Sequence, residues 1–129
     1  MYYTSGNEAE SNWDISGIIE LSGEVRGIVA ISMNESVAYK LTEGLSGNKH
    51  SSIDDVVVDA IGEIINIIMG NVKKEFENDF KVNISTPLIV KGKSQAIAWP
   101  ASKSRIICIP FTIFSDEEIC LSIAVDTSN

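Results

Sequence analysis

One predicted helix carries a carboxylate and an amide that project together from neighbouring turns. Glu63 and Asn66 are three residues apart, and at about 3.6 residues per turn this spacing puts their side chains side by side. A carboxylate accepts hydrogen bonds or pairs with a cation, whereas an amide both donates and accepts. The pair could therefore bind and orient a polar group. The same face also carries Asp59, Gly70, Lys73, Lys74 and Glu77.

A polar helix face is most often plain solvated surface, and that interpretation stays open for this one. Three details favour a contact surface instead. Gly62 and Gly70 lie inside the helix, where each costs about 1 kcal/mol relative to alanine, and no core packing explains Gly70 on the polar face. Asn66 lowers helix propensity without capping a helix end. Ile67 borders the polar face rather than the core.

The sequence offers little for other kinds of catalytic or metal site. His50 is the only histidine and lies in a polar loop, so neither a Ser–His–Asp nor a Cys–His arrangement is supported. A glycine-rich phosphate loop and a metal-ligand spacing are both missing from the sequence. Cys108 and Cys120 fall on two predicted strands whose register separates them by roughly 13 Å, too far for a disulfide. We predict free thiols in a reducing compartment.

Composition limits the class of partner. The chain has 129 residues and a formal net charge of −8, which argues against the dense basic surface that nucleic-acid binding requires. Its apolar runs are too short for a transmembrane helix. The first residues have no basic or apolar export signal. We therefore predict a cytoplasmic protein that binds neither nucleic acid nor membrane.

The elements that must hold the polar face can be placed from hydrophobic periodicity. We expect a flexible segment over residues 1–13 and one domain over residues 14–129. The strands are predicted at 15–21, 25–33, 82–90, 94–99, 106–114 and 117–125, and the helices at 34–45 and 53–78. Asn34 and Ser52 are expected to cap the two helices, and Gly44 or Gly47 to end the first.

Packing of these elements follows from the apolar residues and the short turns. The core stripe of the second helix is predicted to comprise Val57, Ile61, Ile64, Ile65, Ile68, Val72 and Phe76. Short turns between strands favour antiparallel pairing, so the fold class is α+β, with long helices packed on a largely antiparallel sheet. The last hairpin is expected to pair Ile113 with Ile119. Gly17 and Gly27 are expected to mark bulges or close backbone approaches.

The pattern Asp59-x-x-x-Glu63-x-x-Asn66-x-x-x-Gly70-x-x-Lys73 resembles the signature helix of the CheC/CheX/FliY family of chemotaxis phosphatases. Residues 18–32 resemble the family's first hairpin, and residues 107–111 with the following hairpin resemble its C-terminal strands. The resemblance covers about residues 14–125 and implies a CheC-like α/β sandwich. The helix at 34–45 lacks a second Glu-x-x-Asn, which favours the CheX-like branch. Members of that branch usually begin with an additional long N-terminal helix. Because this chain starts close to its first strand, we expect that helix to be either trimmed or lost, which would leave apolar surface for a partner to cover.

The resemblance also implies an activity and a partner. Family members remove the phosphoryl group from the aspartyl phosphate of a CheY-like response regulator. By resemblance, Asn66 would position the attacking water and Glu63 would pair with a lysine of the regulator. No cofactor would be bound by this chain, because the Mg²⁺ would be held by the regulator. The implied partner contacts are Asp59, Ile67, Gly70, Lys73 and Lys74.

Two further expectations follow from the resemblance. CheX-like relatives pair edge strands between subunits, so we expect a homodimer, with a monomer as the alternative. The alternative function is a non-catalytic module that binds a receiver domain or works like a flagellar-switch component.

Overall fold

The computed structural model describes residues 2–5, 8–10, 13–76, 78, 79, 81–92, 96–98, 105–114 and 116–125. Within these residues the chain forms nine strands and two helices. The strands are β1 (Tyr2–Ser5), β2 (Glu8–Glu10), β3 (Ile15–Gly23), β4 (Gly27–Met33), β5 (Val82–Ile84), β6 (Leu88–Lys91), β7 (Ala96–Ala98), β8 (Arg105–Ile113) and β9 (Glu117–Val125). The helices are α1 (Glu35–Ser46) and α2 (Asp55–Phe76).

Seven strands form one antiparallel sheet in the order β1-β8-β9-β4-β3-β5, and β6 also pairs with β3. Strands β2 and β7 pair separately. Both helices pack on the same face of the large sheet, where α1 contacts β9 and α2 contacts β3, β5 and β6. The predicted α+β class is therefore confirmed. None of the described helices is long and apolar enough to cross a membrane.

The main core lies between the sheet and the two helices. The strands supply alternate residues to it and the helices supply one face each, because side chains alternate along a strand but recur every third or fourth residue on a helix. Its fully buried members include Ile15, Ile19, Val37, Val57, Ile61 and Ile65. Gly27 marks a close backbone approach, as predicted, whereas the neighbours of Gly17 are side chains. A Cβ on Gly17 would overlap the Ile65 side chain, and one on Gly27 would overlap the carbonyl oxygen of Ala124.

The opposite face of the sheet holds a smaller cluster, in which Cys108 and Cys120 are buried with Ala30 and Ala124. Both cysteines are free thiols, as predicted, but the separation of roughly 13 Å expected for them is wrong, because Cys120 pairs with Pro110, only two residues from Cys108 on β8. The reducing compartment stays a prediction. The register expected for the last hairpin is wrong by two residues, because Ile113 pairs with Glu117 instead of Ile119. A shift of two residues keeps every side chain on its own face, so the hydrophobic pattern cannot distinguish the two registers.

The turn of this hairpin is in contact with helix α1. Phe114 has a positive φ of 49°, which is uncommon for a bulky residue. The ammonium of Lys40 on α1 lies 2.8 Å from the Glu117 carboxylate and 5.4 Å from the centre of the Phe114 ring. The hairpin therefore contacts a residue that lies far away in the sequence.

Both predicted caps are corrected by the structure. The side chain of Asn34 makes no capping hydrogen bond; the Asp14 carboxylate instead accepts one from the Glu35 N–H at 2.7 Å. Helix α2 is capped by Asp54, which accepts from the Val57 N–H at 3.0 Å, and not by Ser52. Helix α1 ends at Gly47, which has a φ of 79°, and this agrees with one of the two predicted ends.

Two other predicted boundaries differ from the structure. Strands β1 and β2 lie within residues 1–13, where no regular structure was expected, and β1 pairs with β8. The start of the domain at residue 14 stays a prediction. The single strand predicted at 82–90 is divided into β5 and β6. Glu77 and the ends of the strand predicted at 94–99 lie outside the described residues.

Candidate functional site

Helix α2 presents Glu63 and Asn66 to solvent, because its opposite side enters the core. Val57, Ile61, Ile65 and Met69 are buried at intervals of four residues, a row that turns slowly around the helix axis. Asp59, Glu63, Asn66, Ile67 and Lys74 are exposed, and Gly70 and Lys73 are half-buried.

The predicted core stripe of α2 is wrong at its C-terminal end. Ile68 and Val72 are 42% and 37% exposed, because the buried row follows Ile65 to Met69 and leaves them to one side. Together with Lys73 and residues of β3, β4, β5 and β9 they line an apolar cavity of about 260 Å³. The side chain of Phe76 lies outside the described part.

A groove of about 490 Å³ with a mixed polar and apolar lining runs along the other side of α2. Its second wall is the segment between β5 and β6. The groove is lined by Val58, Asp59, Gly62, Glu63, Asn66, Thr86, Pro87 and Ile89. Three predicted site residues (Asp59, Glu63 and Asn66) therefore meet in one groove. The other four, Ile67, Gly70, Lys73 and Lys74, do not line it.

The second wall exists because the β5–β6 edge contains a bulge. Ile84 pairs with Leu21, and Leu88 pairs with Ile18. Residues 85–87 therefore lie opposite two residues of β3, Ile19 and Glu20, which is one residue more than regular pairing allows. Ile84 and Ile89 are five residues apart and would face opposite sides of a regular strand. The extra residue lets both pack against the main core.

Pro87 is the sequence signal for this bulge. Proline cannot donate to a ladder and is found at edges and bulges, so its position inside the strand predicted at 82–90 indicates a break. The predicted site did not include Thr86, Pro87 or Ile89. Their role in the groove depends on pairing with β3 and packing against α2, neither of which is visible in the local pattern.

The charged and polar groups of the groove are available to a partner. Within the described part of the chain, the side chains of Asp59, Glu63 and Asn66 make no hydrogen bond or ion pair with other residues. The lining contains two carboxylates and no lysine or arginine, so the groove favours a cation. Among the described residues no group of three or more His, Cys, Asp or Glu side chains is placed to hold a metal ion.

The remaining reactive side chains lie away from the groove. His50 is near the start of α2, where its Nδ1 is 3.8 Å from the Asp54 carboxylate and its Nε2 is 3.3 Å from the Ser46 hydroxyl. The two cysteines lie on the face of the sheet that does not contact the helices. The described lining of the groove contains neither a cysteine nor a histidine, and its carboxylates and amide are suited to binding and orienting a reactant.

Comparisons with known proteins give a consistent result. A family model described as chemotaxis phosphatase CheX matches residues 15–112. The CheY-P phosphatase CheX of Thermotoga maritima is 27% identical over 110 residues, which are 84% of this chain and 69% of that protein.

Two solved structures share the fold. A CheC-like superfamily protein from Shewanella sp. PV-4 is 26% identical with a TM-score of 0.78, over 96% of this chain and 82% of that one. A chain of the CheX–CheY–BeF₃–Mg²⁺ complex from Borrelia burgdorferi is 21% identical with a TM-score of 0.72, over 94% of this chain and 84% of that one.

Proposed function

The chain belongs to the CheX family of chemotaxis phosphatases, and from this premise we propose that it hydrolyses the aspartyl phosphate of a CheY-like response regulator. The observation that carries the proposal is the pair formed by Glu63 and Asn66. These side chains lie one turn apart at the rim of a groove, exposed and without a partner among the described residues. The CheY-P phosphatase of Thermotoga maritima supports the reaction, and the CheX–CheY complex supports the class of partner.

The chemistry requires little beyond a well-placed water. An acyl phosphate is already activated, so catalysis consists mainly of holding a water in line with the bond that breaks. The water oxygen bonds to phosphorus while the phosphorus–oxygen bond to the aspartate breaks. The aspartate leaves as a carboxylate, and the two protons of the water stay on the released dihydrogen phosphate. In the proposed complex the Asn66 amide accepts a hydrogen bond from this water and donates another to a phosphoryl oxygen. An amide does not titrate, so this role is independent of pH.

Glu63 has the complementary role of holding the regulator in position. Its exposed carboxylate is proposed to pair with a lysine beside the regulator's phosphorylated aspartate, which places helix α2 over the reacting group. A charged hydrogen bond of this kind fixes orientation more firmly than a neutral one. Any Mg²⁺ that shields the phosphoryl oxygens is proposed to belong to the regulator.

The proposal is tested by the decay of a phosphorylated CheY-like receiver with and without the protein. We expect wild type to accelerate phosphate release, and Asn66→Ala to lower the acceleration by about 100-fold or more, since a lost positioning group costs that much. Glu63→Ala should chiefly raise KM. Asn71→Ala and Glu75→Ala are matched controls, because both residues are exposed on α2 and neither lines the groove.

The alternative function predicts a different result. A non-catalytic receiver-binding module would bind the receiver but leave its decay unchanged. Equal decay rates with wild type and with Asn66→Ala, together with measurable binding, would therefore replace the catalytic proposal with that module.

The proposal extends to a homodimer formed through edge strands. In the described part of the large sheet, β1 lies at one edge and β5 with β6 at the other, and edge strands present unpaired backbone groups. Light scattering should give twice the chain mass of 14.0 kDa, and the mass of a single chain would contradict it. A CheY-like regulator is an intracellular substrate, so the proposal includes the predicted cytoplasmic location.

A further inference from the structure

The bulge between β5 and β6 is held rigidly although it lies at the edge of the sheet. The Ser85 hydroxyl accepts a hydrogen bond from the Glu20 N–H at 2.9 Å and donates one to the Thr86 carbonyl at 3.2 Å. The Ser85 N–H donates to the Glu20 carbonyl at 3.0 Å. One serine thus binds both backbone groups of Glu20, which anchors the wall formed by Thr86 and Pro87 to β3.

The groove is also kept open from the helix side. A Cβ on Gly62 would lie 3.9 Å from the Ile89 side chain, an ordinary contact distance, so an alanine would fit at this position. Alanine would also favour the helix more than glycine does. The fold therefore does not require the glycine at residue 62, but any larger side chain there would fill the space between α2 and the bulge.

The lining of the groove indicates what enters it. The floor is apolar, with Val58, Pro87 and Ile89, while the rim carries the carboxylates of Asp59 and Glu63. A complementary element has an apolar side chain for the floor and a cation for the rim. Since Glu63 is assigned to the lysine beside the phosphorylated aspartate, Asp59 remains for a second basic group. The groove begins at Asn66, so a receiver that reaches Asn66 must also meet this lining.

We propose that the bulge segment Ser85–Pro87 and the groove beside it are a second docking contact for the phosphorylated receiver, which takes an exposed receiver element bearing a basic side chain next to an apolar one. The inference rests on the proposed function. The contact affects the affinity for the receiver and not the rate of hydrolysis, because it lies beside the reacting group and contributes no atom to the reaction. Ser85 and Gly62 are positioning residues in this scheme, and Thr86 and Asp59 touch the receiver.

The test is a steady-state measurement of phosphate release at increasing concentrations of phosphorylated receiver. For Gly62→Leu and Ser85→Ala we expect KM to rise about 10-fold. For Ser85→Ala, which lies outside the lining of the groove, kcat should stay within twofold of wild type, the pattern of lost uniform binding. Ser85→Thr keeps the hydroxyl and should restore most of the affinity. Gly44→Leu is the matched control, because Gly44 is an exposed glycine of α1 with no described atom within 4 Å of its Cβ position.

A second variant does not depend on the packing of the bulge. Thr86 is exposed, so Thr86→Lys should fold normally while it places a cation opposite the proposed basic element. We expect KM to rise at low salt and the difference from wild type to shrink as salt screens the repulsion. An unchanged KM for folded Gly62→Leu and Thr86→Lys, with active wild type, would overturn the inference.

Binding of the receiver carrying beryllofluoride, measured by fluorescence titration, separates this inference from the proposed function. If wild type releases no phosphate but the groove variants still weaken binding about 10-fold, the hydrolysis proposal fails and the docking contact stands. If wild type hydrolyses the receiver and the groove variants bind it as wild type does, the docking contact fails alone.

Discussion

Strands β3 and β4 and helix α2 all contain glycines inside regular structure, but the surroundings of these glycines differ. A Cβ on Gly17 would overlap the Ile65 side chain, and one on Gly27 would overlap a carbonyl oxygen of β9. A Cβ on Gly62 would make an ordinary contact, and one on Gly70 would have no described atom within 4 Å. Packing therefore requires the strand glycines and does not require the helix glycines.

This difference separates residues that serve the fold from residues that serve a surface. A glycine inside a helix costs about 1 kcal/mol relative to alanine, and α2 contains two of them on the sides that face the groove and the solvent. Natural proteins often retain such a loss of stability where a binding site needs the space that a side chain would occupy. The two glycines of α2 lie beside Glu63 and Asn66, where the proposed receiver contact would use the space, whereas Gly17 and Gly27 mark contacts within the core. Gly44 of α1 is equally free of packing constraints but lies outside that surface.

The largest effect is expected for Gly27→Ala. The new methyl group would meet the backbone of Ala124 in the neighbouring strand, which cannot move without breaking the ladder between β4 and β9. We expect the free energy of unfolding to fall by about 3 kcal/mol, measured by urea denaturation. A decrease in the free energy of unfolding of less than about 1 kcal/mol would show that the two strands can separate locally. Packing would then not require the glycine at residue 27.

Gly17→Ala should have a smaller effect, of about 2 kcal/mol, because the atom in its way is the terminal Cδ1 of Ile65. Ile65→Val removes that methyl group and alone should cost about 1 kcal/mol. The double variant should be more stable than the sum of the two losses predicts, since the second change relieves the overlap. Strict additivity in urea denaturation would contradict a direct contact between these residues.

Gly70→Ala should raise the free energy of unfolding by about 1 kcal/mol and at the same time weaken receiver binding. The stability gain follows from helix propensity, and the loss of affinity follows from the proposed close approach of the receiver to α2. Gly44→Ala on α1 is the matched control and should give the gain without the loss. Equal receiver affinities for the two variants would remove Gly70 from the proposed contact surface.

The smallest predicted effect on stability concerns the N-terminal cap of α2. The cap is important for this helix because Gly62 and Gly70 lower its intrinsic stability. The N–H of Val57 donates to the Asp54 carboxylate and, with His50 nearby, holds the pKa of Asp54 below its ordinary value of 3.8. The contribution of this carboxylate to stability is therefore present above about pH 4. It is lost as the pH falls through the lowered pKa of the folded state.

Asp54→Ala should lower the midpoint of thermal unfolding by a few degrees at pH 7, and the difference from wild type should shrink below pH 4. Asp54→Asn keeps a capping oxygen but cannot titrate, so it should retain most of the stability and lose the pH dependence of this contribution. A constant difference between wild type and Asp54→Ala from pH 7 to pH 3 would contradict the assignment.

Much of the sheet and both helices could be predicted from periodicity, since alternation and helical spacing are local properties. The hairpin formed by β3 and β4 was predicted from Gly23, a glycine between two apolar segments. The structure gives this residue a positive φ of 105°. The register of β8 and β9 was not predictable, because two registers that differ by two residues place the same side chains on each face of the sheet, and the contact of the turn with Lys40 of α1 forms only in the folded chain. The cap of α1 was missed for a similar reason, since Asp14 lies before the preceding hairpin.

The candidate site likewise has one part that the sequence determines and one part that only the tertiary structure determines. The proximity of Glu63 and Asn66 follows from the sequence by itself, because residues three apart on a helix always lie on neighbouring turns. Only the tertiary structure decided that the bulge of residues 85–87 faces them. The bulge is required so that Ile84 and Ile89 both enter the core beneath α2, and that requirement arises only when the strand is paired with β3 and covered by the helix.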